Sequence, residues 1–574
     1  MKSSPRRFYD FGPFRLDTSA PLLWRSGEPV DLPLKALETL AVLVKEAGQL
    51  VRRADLIEAV WPETVIEDNN LSVNISLLRK VLGEHNGAKY IETVSRRGYR
   101  FIAQVRNEPH APARTLPIAV LPFKQNTAEE NNDYLGIGLC DTLITRLSNV
   151  SRFAVRPTST VVRYAEDRFE PLAAGRELKV DYVVDGRIRR AGEVLRVNVQ
   201  LLRTSEEAIC WAGQFDEKLT DVLQLEDSIA EQVALALIPQ MTAAERERLA
   251  RRGTDNLEAF EAYLRGRFHF NSLTQDGFAK ARAAYESAVK LDPSYALAYT
   301  GIADYYYFLA VWGVMPSDQC LAACEAAARR AVEIDPNLAE AHAALGFALS
   351  GRFKWDEGER HVLRALELSP NSALAHLRYG NHLVQQGFVE EAVQEARRSI
   401  ELDPLSPVYQ FSLGWGLYFA RRFEEALAQY ESTISAHPLN PMAHFGFAWV
   451  ARHVGRHDEA LSAMKRAEEL SNGSLMMTTG RGTVYAAAGM RREAEQVLEY
   501  IAALPAECNA IPYHLALIYH FLGDKEKTLL ALEDAFEQRD LWLVWIGVEP
   551  AFDNLRSDKR FRRLLELTGL SFSS

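Results

Sequence analysis

Along the first hundred residues the apolar positions change period. Phe8, Phe11, Phe14 and Leu16 alternate with polar and turn-forming residues, which predicts short strands, with Gly27-Glu28 as a hairpin turn. From Pro33 the spacing becomes helical: Leu34, Leu37, Leu40, Ala41, Leu43 and Val44 share one face, and Gly48 stops it. A second short helix is expected over Arg53 to Val60, closed by Trp61-Pro62. A third opens after Asp68, a good N-cap, and runs to Gly83. Tyr90 to Val94 and Gly98 to Ile102 then read as two strands around the basic turn Ser95-Arg96-Arg97.

Three helices followed by a β-hairpin describe a winged helix. In the third helix Leu71, Ile75, Leu78 and Leu82 form a core-facing stripe. The opposite face carries Asn69, Asn70, Ser72, Asn74, Ser76, Arg79 and Lys80. Asn pairs with adenine edges, Arg and Lys with guanine or phosphate, and a polar helix face suits a major groove. The wing adds Arg96, Arg97, Tyr99 and Arg100, whose arginines suit phosphate or a narrow minor groove. The helix alone reads more simply as a solvated face; helix and basic hairpin together favour DNA.

The runs Leu50–Arg53, Val60-Trp61, Asp68–Ile75, Leu78–Gly83, Ile91–Val94 and Arg97–Phe101 resemble the OmpR/PhoB-type winged-helix domain, in the version found in CadC-like and HilA-like transcription regulators. The resemblance implies that the third helix is the recognition helix, that the wing touches the minor groove, and that Trp61 sits near the DNA backbone. Relatives carry basic residues where this chain has Leu77, and some also at Ser76. With the winged helix starting near residue 8, no phosphoacceptor receiver is expected ahead of it. The Pro-Ala linker at 107–115 stands where a CadC-like chain has a membrane helix.

From residue 116 to about 240, apolar runs and helical patterns alternate. Pro117 to Phe123, Phe153 to Val155, Tyr182 to Ile188 and Leu195 to Leu202 read as strands, the last two joined by a turn at Ala191-Gly192. Leu139 to Leu147 and Ala173 to Leu178 read as helices. This predicts a small α/β domain. Ile118–Phe123, Asp181–Arg190 and Cys210-Trp211…Phe215-Asp216 resemble the TolB-N-like (FlgO-like) domain, which implies no known catalytic role. Gly136-Ile137-Gly138 lacks the third glycine and the lysine of nucleotide loops, so a strand-to-helix turn is the expectation.

Over 258–574 the pattern repeats. Asp292-Pro293 and Asp335-Pro336 lie 43 apart; Ser369-Pro370, Asp403-Pro404, His437-Pro438 and Ser471-Asn472 then follow every 34. Small residues recur between them, for example Gly346, Gly380 and Gly414, where two antiparallel helices can pack closely. This resembles the tetratricopeptide repeat. About eight repeats are expected, with nine extra residues near Val314–Gln319 and a terminal cap from Glu549 to Phe561. Such an array curves around a concave groove. The groove implies a protein partner, RNA polymerase or another; a purely structural or self-associating array is the alternative.

The fold class is therefore multidomain and mainly α: a winged helix-turn-helix (1–106), a small α/β domain (116–240) and an α-solenoid of helix pairs (258–574). The 574 residues carry a net charge of −11, but residues 1–106 hold a surplus of +3 and the remainder −14, as when only the head meets a polyanion. Five cysteines, no apolar leader core and no long apolar run predict a cytoplasmic chain away from membranes. Cys320 and Cys324 lack metal-ligand company, and packing is expected of them. His342, His376 and His444 share one repeat phase, where packing or hydrogen bonding is expected before catalysis. No catalytic, metal or phosphoacceptor residue and no cofactor is assigned. Three readings remain: a one-component bacterial transcription regulator that meets double-stranded DNA, with two copies on tandem half-sites; a scaffold with a non-specific DNA-binding head; and an enzyme with an unseen site in the α/β domain.

Overall fold

The computed structural model describes residues 8–17, 22–25, 28–30, 32–60, 68–83, 89–94, 97–103, 105, 115–125, 133–150, 152–165, 169–191, 194–218, 222–250, 253–270, 275–504 and 511–570. Two compact units result, Met1–Arg114 and Thr115–Ser574.

In the first unit, β1 (Phe8–Phe11), β2 (Phe14–Asp17), β3 (Leu22–Arg25) and β4 (Glu28–Val30) form an antiparallel meander. Then follow α1 (Leu34–Lys45), β5 (Leu50–Arg52), α2 (Arg53–Val60), α3 (Asp68–Leu82), β6 (Ile91–Val94) and β7 (Gly98–Phe101). The helix α3 includes Asp68 instead of starting after it, and Gly83, at φ +76°, ends it in the left-handed form that glycine adopts freely. The sequence pattern missed β5, which makes the wing three-stranded in the order β5-β7-β6. It is short, and only its pairing with β7 defines it. A Cβ on Gly98 would lie 2.0 Å from the Val51 carbonyl oxygen, so close strand approach requires glycine there. Phe11, Phe14, Leu40, Leu71, Leu78 and Phe101 sit in one core. Gly27, Trp61-Pro62, Ser95 and Arg96 lie outside the described residues.

The second unit starts with a six-stranded sheet. Its strands are β8 (Leu116–Val120), β9 (Lys124–Gln125), β10 (Phe153–Val155), β11 (Tyr182–Ala191), β12 (Val194–Arg203) and β13 (Ala208–Lys218). The order is β10-β8-β11-β12-β13, with β9 beside β11. β8 runs parallel to β10 and β11, and the last three strands are antiparallel. The helices are α4 (Asp133–Ser148), α5 (Thr158–Val161), α6 (Pro171–Glu177), α7 (Val222–Leu237) and α8 (Ala243–Ala250). Gly136 and Gly138 lie inside α4, not in a turn. A Cβ on Gly136 would fall 2.1 Å from the Phe123 carbonyl oxygen and one on Gly138 2.4 Å from Leu264, so both glycines serve close packing. The Gly192 half of the expected turn is outside the described residues; Ala191 ends β11.

Eight helix pairs follow among the described residues: α9 (Leu257–Phe270) with α10 (Gln275–Leu291), α11 (Ala296–Val311) with α12 (Ser317–Ile334), α13 (Ala339–Gly351) with α14 (Trp355–Leu368), α15 (Ala373–Gln385) with α16 (Val389–Leu402), α17 (Pro407–Phe419) with α18 (Phe423–Ala436), α19 (Pro441–His453) with α20 (His457–Leu470), α21 (Leu475–Ala487) with α22 (Arg491–Ala502), and α23 (Pro512–Phe521) with α24 (Lys525–Glu537). The extra residues of the second pair are not one insertion near Val314–Gln319. They lengthen α11 to 16 and α12 to 18 residues, against 13 and 14 in the next pair, and only the remainder widens the turn.

The recurring histidines have one structural task. The Nε2–H groups of His342, His376 and His444 each donate to the carbonyl of the proline six residues earlier, Pro336, Pro370 and Pro438, at 3.0 Å. Gln410 does the same to Pro404 at 2.8 Å. Each bond satisfies a turn carbonyl between repeats. Cys320 and Cys324 are buried in apolar clusters, and burial pushes the Cys320 thiol up to about 12.

The segment expected as a terminal cap packs on the last helix pair, the 3-10 turn Pro550–Leu555 against α23 and α25 (Lys559–Leu567) against α24. The 3-10 turn before it, Leu541–Trp545, runs along the inside of the array and meets α11, α13 and α15. The Trp542 ring lies among Trp415 of α17, Trp449 of α19 and His514 of α23, and its indole N–H donates to Val311 at 3.1 Å. These are the first helices of their pairs, so the Leu541–Trp545 turn lies in the concavity they share. Tyr418 donates to the buried Glu549, which Arg452 approaches to 4.0 Å while stacking over Trp449.

The sheet is fastened to the same array. Arg156 donates to the carbonyls of Leu178, Lys179 and Leu402, Thr160 to the Asp403 carboxylate at 2.8 Å, and Asn371 to Phe153 at 3.3 Å. Burial pushes Asp403 up to about 6, against the pull of Thr160 and Arg156, and lowers Arg156 to about 10. Among the described residues no helix is long and apolar enough to cross a membrane.

Candidate nucleic-acid interface

Leu71, Ile75, Leu78 and Leu82 are each at most 3% exposed and fix which side of α3 turns outward. That side carries Val73, 63% exposed, with Ser76 and Lys80, also exposed, at the three- and four-residue steps of one helical row. Asn69 and Asn70 lie in the first turn of α3; their side chains are outside the description.

The other expected contact residues are engaged within the domain. Ser72 accepts from Arg53 at 3.1 Å, and Asn74 donates to Thr39 of α1 at 3.4 Å. Arg79 donates to the Ile91 carbonyl at 2.9 Å and the Thr93 hydroxyl at 2.8 Å, tying α3 to β6. Tyr99 is buried, and its hydroxyl accepts from Arg53 at 3.1 Å. Arg100 pairs with Glu92 at 3.5 Å across the wing. Arg97 is exposed at the wing turn; Trp61 and Arg96 lie outside the described residues. Leu77, where relatives are basic, packs against the core.

Two residues escaped the sequence reading. Val73 is apolar and was passed over on a face sorted by polarity, although an exposed valine on a polar helix face is itself a signal. Arg53 opens α2 and bridges Ser72 of α3 to Tyr99 of β7, which only the folded arrangement reveals. The geometry offers a projecting helix face and a basic turn held by one frame, suited to a groove and the phosphates beside it.

The architecture is thus a winged helix-turn-helix unit, followed by a small α/β sheet built into a helical-repeat array. Residues 27–101 match the family described as transcriptional regulatory protein, C terminal; 114–232 match the HilA/YgeH-like transcriptional regulator, second domain; 345–407 and 411–474 match the tetratricopeptide repeat. The chain therefore carries an OmpR/PhoB-type DNA-binding domain, a HilA-like second domain and tetratricopeptide repeats. It is 25% identical over 343 residues to the transcriptional regulator HilA of Salmonella typhimurium, covering 58% of this chain and 60% of that one. It is 30% identical over 256 residues to a putative adenylate cyclase 3 of Rhizobium meliloti, covering 44% and 43%. The chain spans about half the length of these curated relatives. The DNA-binding domain of Escherichia coli CadC aligns at 24% identity over 18% of this chain and 100% of that one, with a TM-score of 0.17.

Proposed function

We propose that the protein is a sequence-specific, DNA-binding transcription regulator of the one-component kind, cytoplasmic and without catalytic activity. The observation that carries this is the exposed row Val73–Ser76–Lys80 on α3 beside the exposed Arg97 of the wing, within a domain matched to transcription regulators. In this reading α3 enters the major groove. Asn69, Asn70, Val73, Ser76 and Lys80 meet base edges, the valine meeting a thymine methyl. Arg96 and Arg97 reach phosphate or the minor groove, and Trp61 lies near the backbone. Ser72, Asn74, Arg79, Tyr99 and Arg100 hold helix and wing at the docking angle; Arg79 and Arg100 reach phosphate only by releasing Thr93 or Glu92.

The repeats are the input and interaction module. The concavity holds the chain's own Leu541–Trp545 turn, so RNA polymerase or another protein partner meets the outer helices. Two copies on tandem half-sites gain effective concentration, which compensates for the small charge surplus of one head.

The test uses residues 1–106, which contain their own core. Selection from a random DNA pool should yield a defined site, with affinity falling steeply as salt rises. Lys80→Ala and Arg97→Ala should weaken binding. A fragment that protects no discrete site, and binds scrambled DNA equally, supports the scaffold reading instead.

A further inference from the structure

The sheet of the second unit ends in an open edge. β13 is eleven residues long and, among the described residues, pairs on one side only, with β12. Long free edges offer unmatched N–H and C=O groups to any strand that fits, and soluble proteins usually blunt them with charge or proline. Here Ala208 to Phe215 carries neither, and Ile209 is 55% exposed. The charged residues gather at the far end, Asp216 to Lys218, and Asp216 is held by Arg196 of β12 at 2.7 Å.

We infer that β13 is a homodimer interface, two copies pairing antiparallel about a two-fold axis at Gly213. The sequence of the strand is complementary to itself in this register. Gly213 is the midpoint of Ala208–Lys218; the pairing with β12 slips by one residue at Cys210, so the regular run that overlaps itself is Trp211–Phe215. Trp211 then stands opposite Phe215 of the second copy, and the reverse, placing two aromatic cross-strand pairs beside the axis. Trp211 to Phe215 carries no charged residue, so no like charges meet within that run. At the axis, where two identical residues face each other, the chain has no side chain. Trp211 already leans over that position: a Cβ on Gly213 would lie 2.7 Å from its ring.

This deepens the proposed regulator by naming the surface that delivers two heads together, and it rests on that reading only for its purpose. Its test contains no DNA, so it can fail while the DNA-binding reading stands. Ala212 and Gln214 are exposed on the outer face and oppose each other across the axis. Sedimentation of the full chain should show a concentration-dependent dimer. Ala212→Lys with Gln214→Lys sets lysine against lysine twice and should weaken the dimer roughly tenfold or more. Ala212→Lys with Gln214→Glu sets lysine against glutamate and should restore it, with both variants melting like the parent. A purified chain that stays monomeric, which is the outcome for an edge awaiting another protein's strand, overturns the inference. So does a dimer that ignores both variants or loses stability equally in both.

Discussion

The guanidinium of Arg53 lies 5.6 Å from the ring centre of Tyr99 and donates to its hydroxyl, so the first residue of α2 is fastened to the wing. The same side chain reaches Ser72 on α3. One residue therefore sets the angle between the helix and the hairpin that would grip a duplex. Arg53→Ala should destabilise the N-terminal unit by about 1–3 kcal/mol, from two hydrogen bonds and one cation–π contact. Beyond that, it should blur discrimination between a selected site and a scrambled one. Competition binding checks this; unchanged discrimination in a folded variant would mean that the bridge does not set the angle.

Val73 can be tested one methyl at a time. Replacing each thymine of the selected site in turn by deoxyuridine should reveal one position where binding weakens about fourfold, the worth of one buried methyl at about 0.8 kcal/mol. In Val73→Ala that difference should shrink or vanish while the other positions respond as before. Uniform indifference to every thymine methyl would remove Val73 from the base-reading face.

Asp403 makes the join between sheet and repeats sensitive to pH in a defined direction. Burial raises its carboxyl to about 6. Between about pH 4 and 6 the folded protein keeps a proton that the unfolded chain has released, so stability falls as pH rises through this window. The loss reaches at most about 3 kcal/mol by neutral pH. Asp403→Asn keeps an acceptor for Thr160 and should abolish this contribution. Denaturant unfolding of both proteins from pH 4 to 7 isolates it: the variant should gain relative to the parent as pH rises. His514 acts oppositely, since burial holds its imidazole down to about 3, and protonation of the unfolded chain below about 6.5 lowers stability as pH falls.

The inner segment should be core, not a removable occupant. Trp542→Ala opens a cavity among Trp415, Trp449 and His514 and should cost about 3–5 kcal/mol. Deletion from Leu541 onward should leave a chain that binds hydrophobic dyes and precipitates. A soluble truncation with unchanged melting would show instead that the concavity is free to take a partner.

Much of the fold was legible because burial leaves a period in the sequence. The Leu71–Leu82 stripe and the spaced prolines of the repeats report local geometry, and α2 and β10 fall where the pattern puts them. What escaped depends on distant partners. Gly136 answers to the Phe123 backbone, β5 exists through β7, and Trp542 finds its place against helices about 90 to 230 residues earlier. At the interface, residue type suggested contacts for Asn74 and Arg79, but Thr39, Ile91 and Thr93 engage those side chains from outside the helix. No spacing along α3 could show that.

The lining of the array by its own last residues also bears on how the chain is made. Repeats that touch only their neighbours can fold one after another as they leave the ribosome. Here Trp415, Phe445 and Trp449 lack the Trp542 ring against them until it is synthesised, about 90 to 130 residues later. At about 5–20 residues per second, a half-built superhelix shows a wet aromatic interior for some seconds, which is when a chaperone would meet it. Completion is a single late event, in which the end of the chain turns a file of repeats into a finished body.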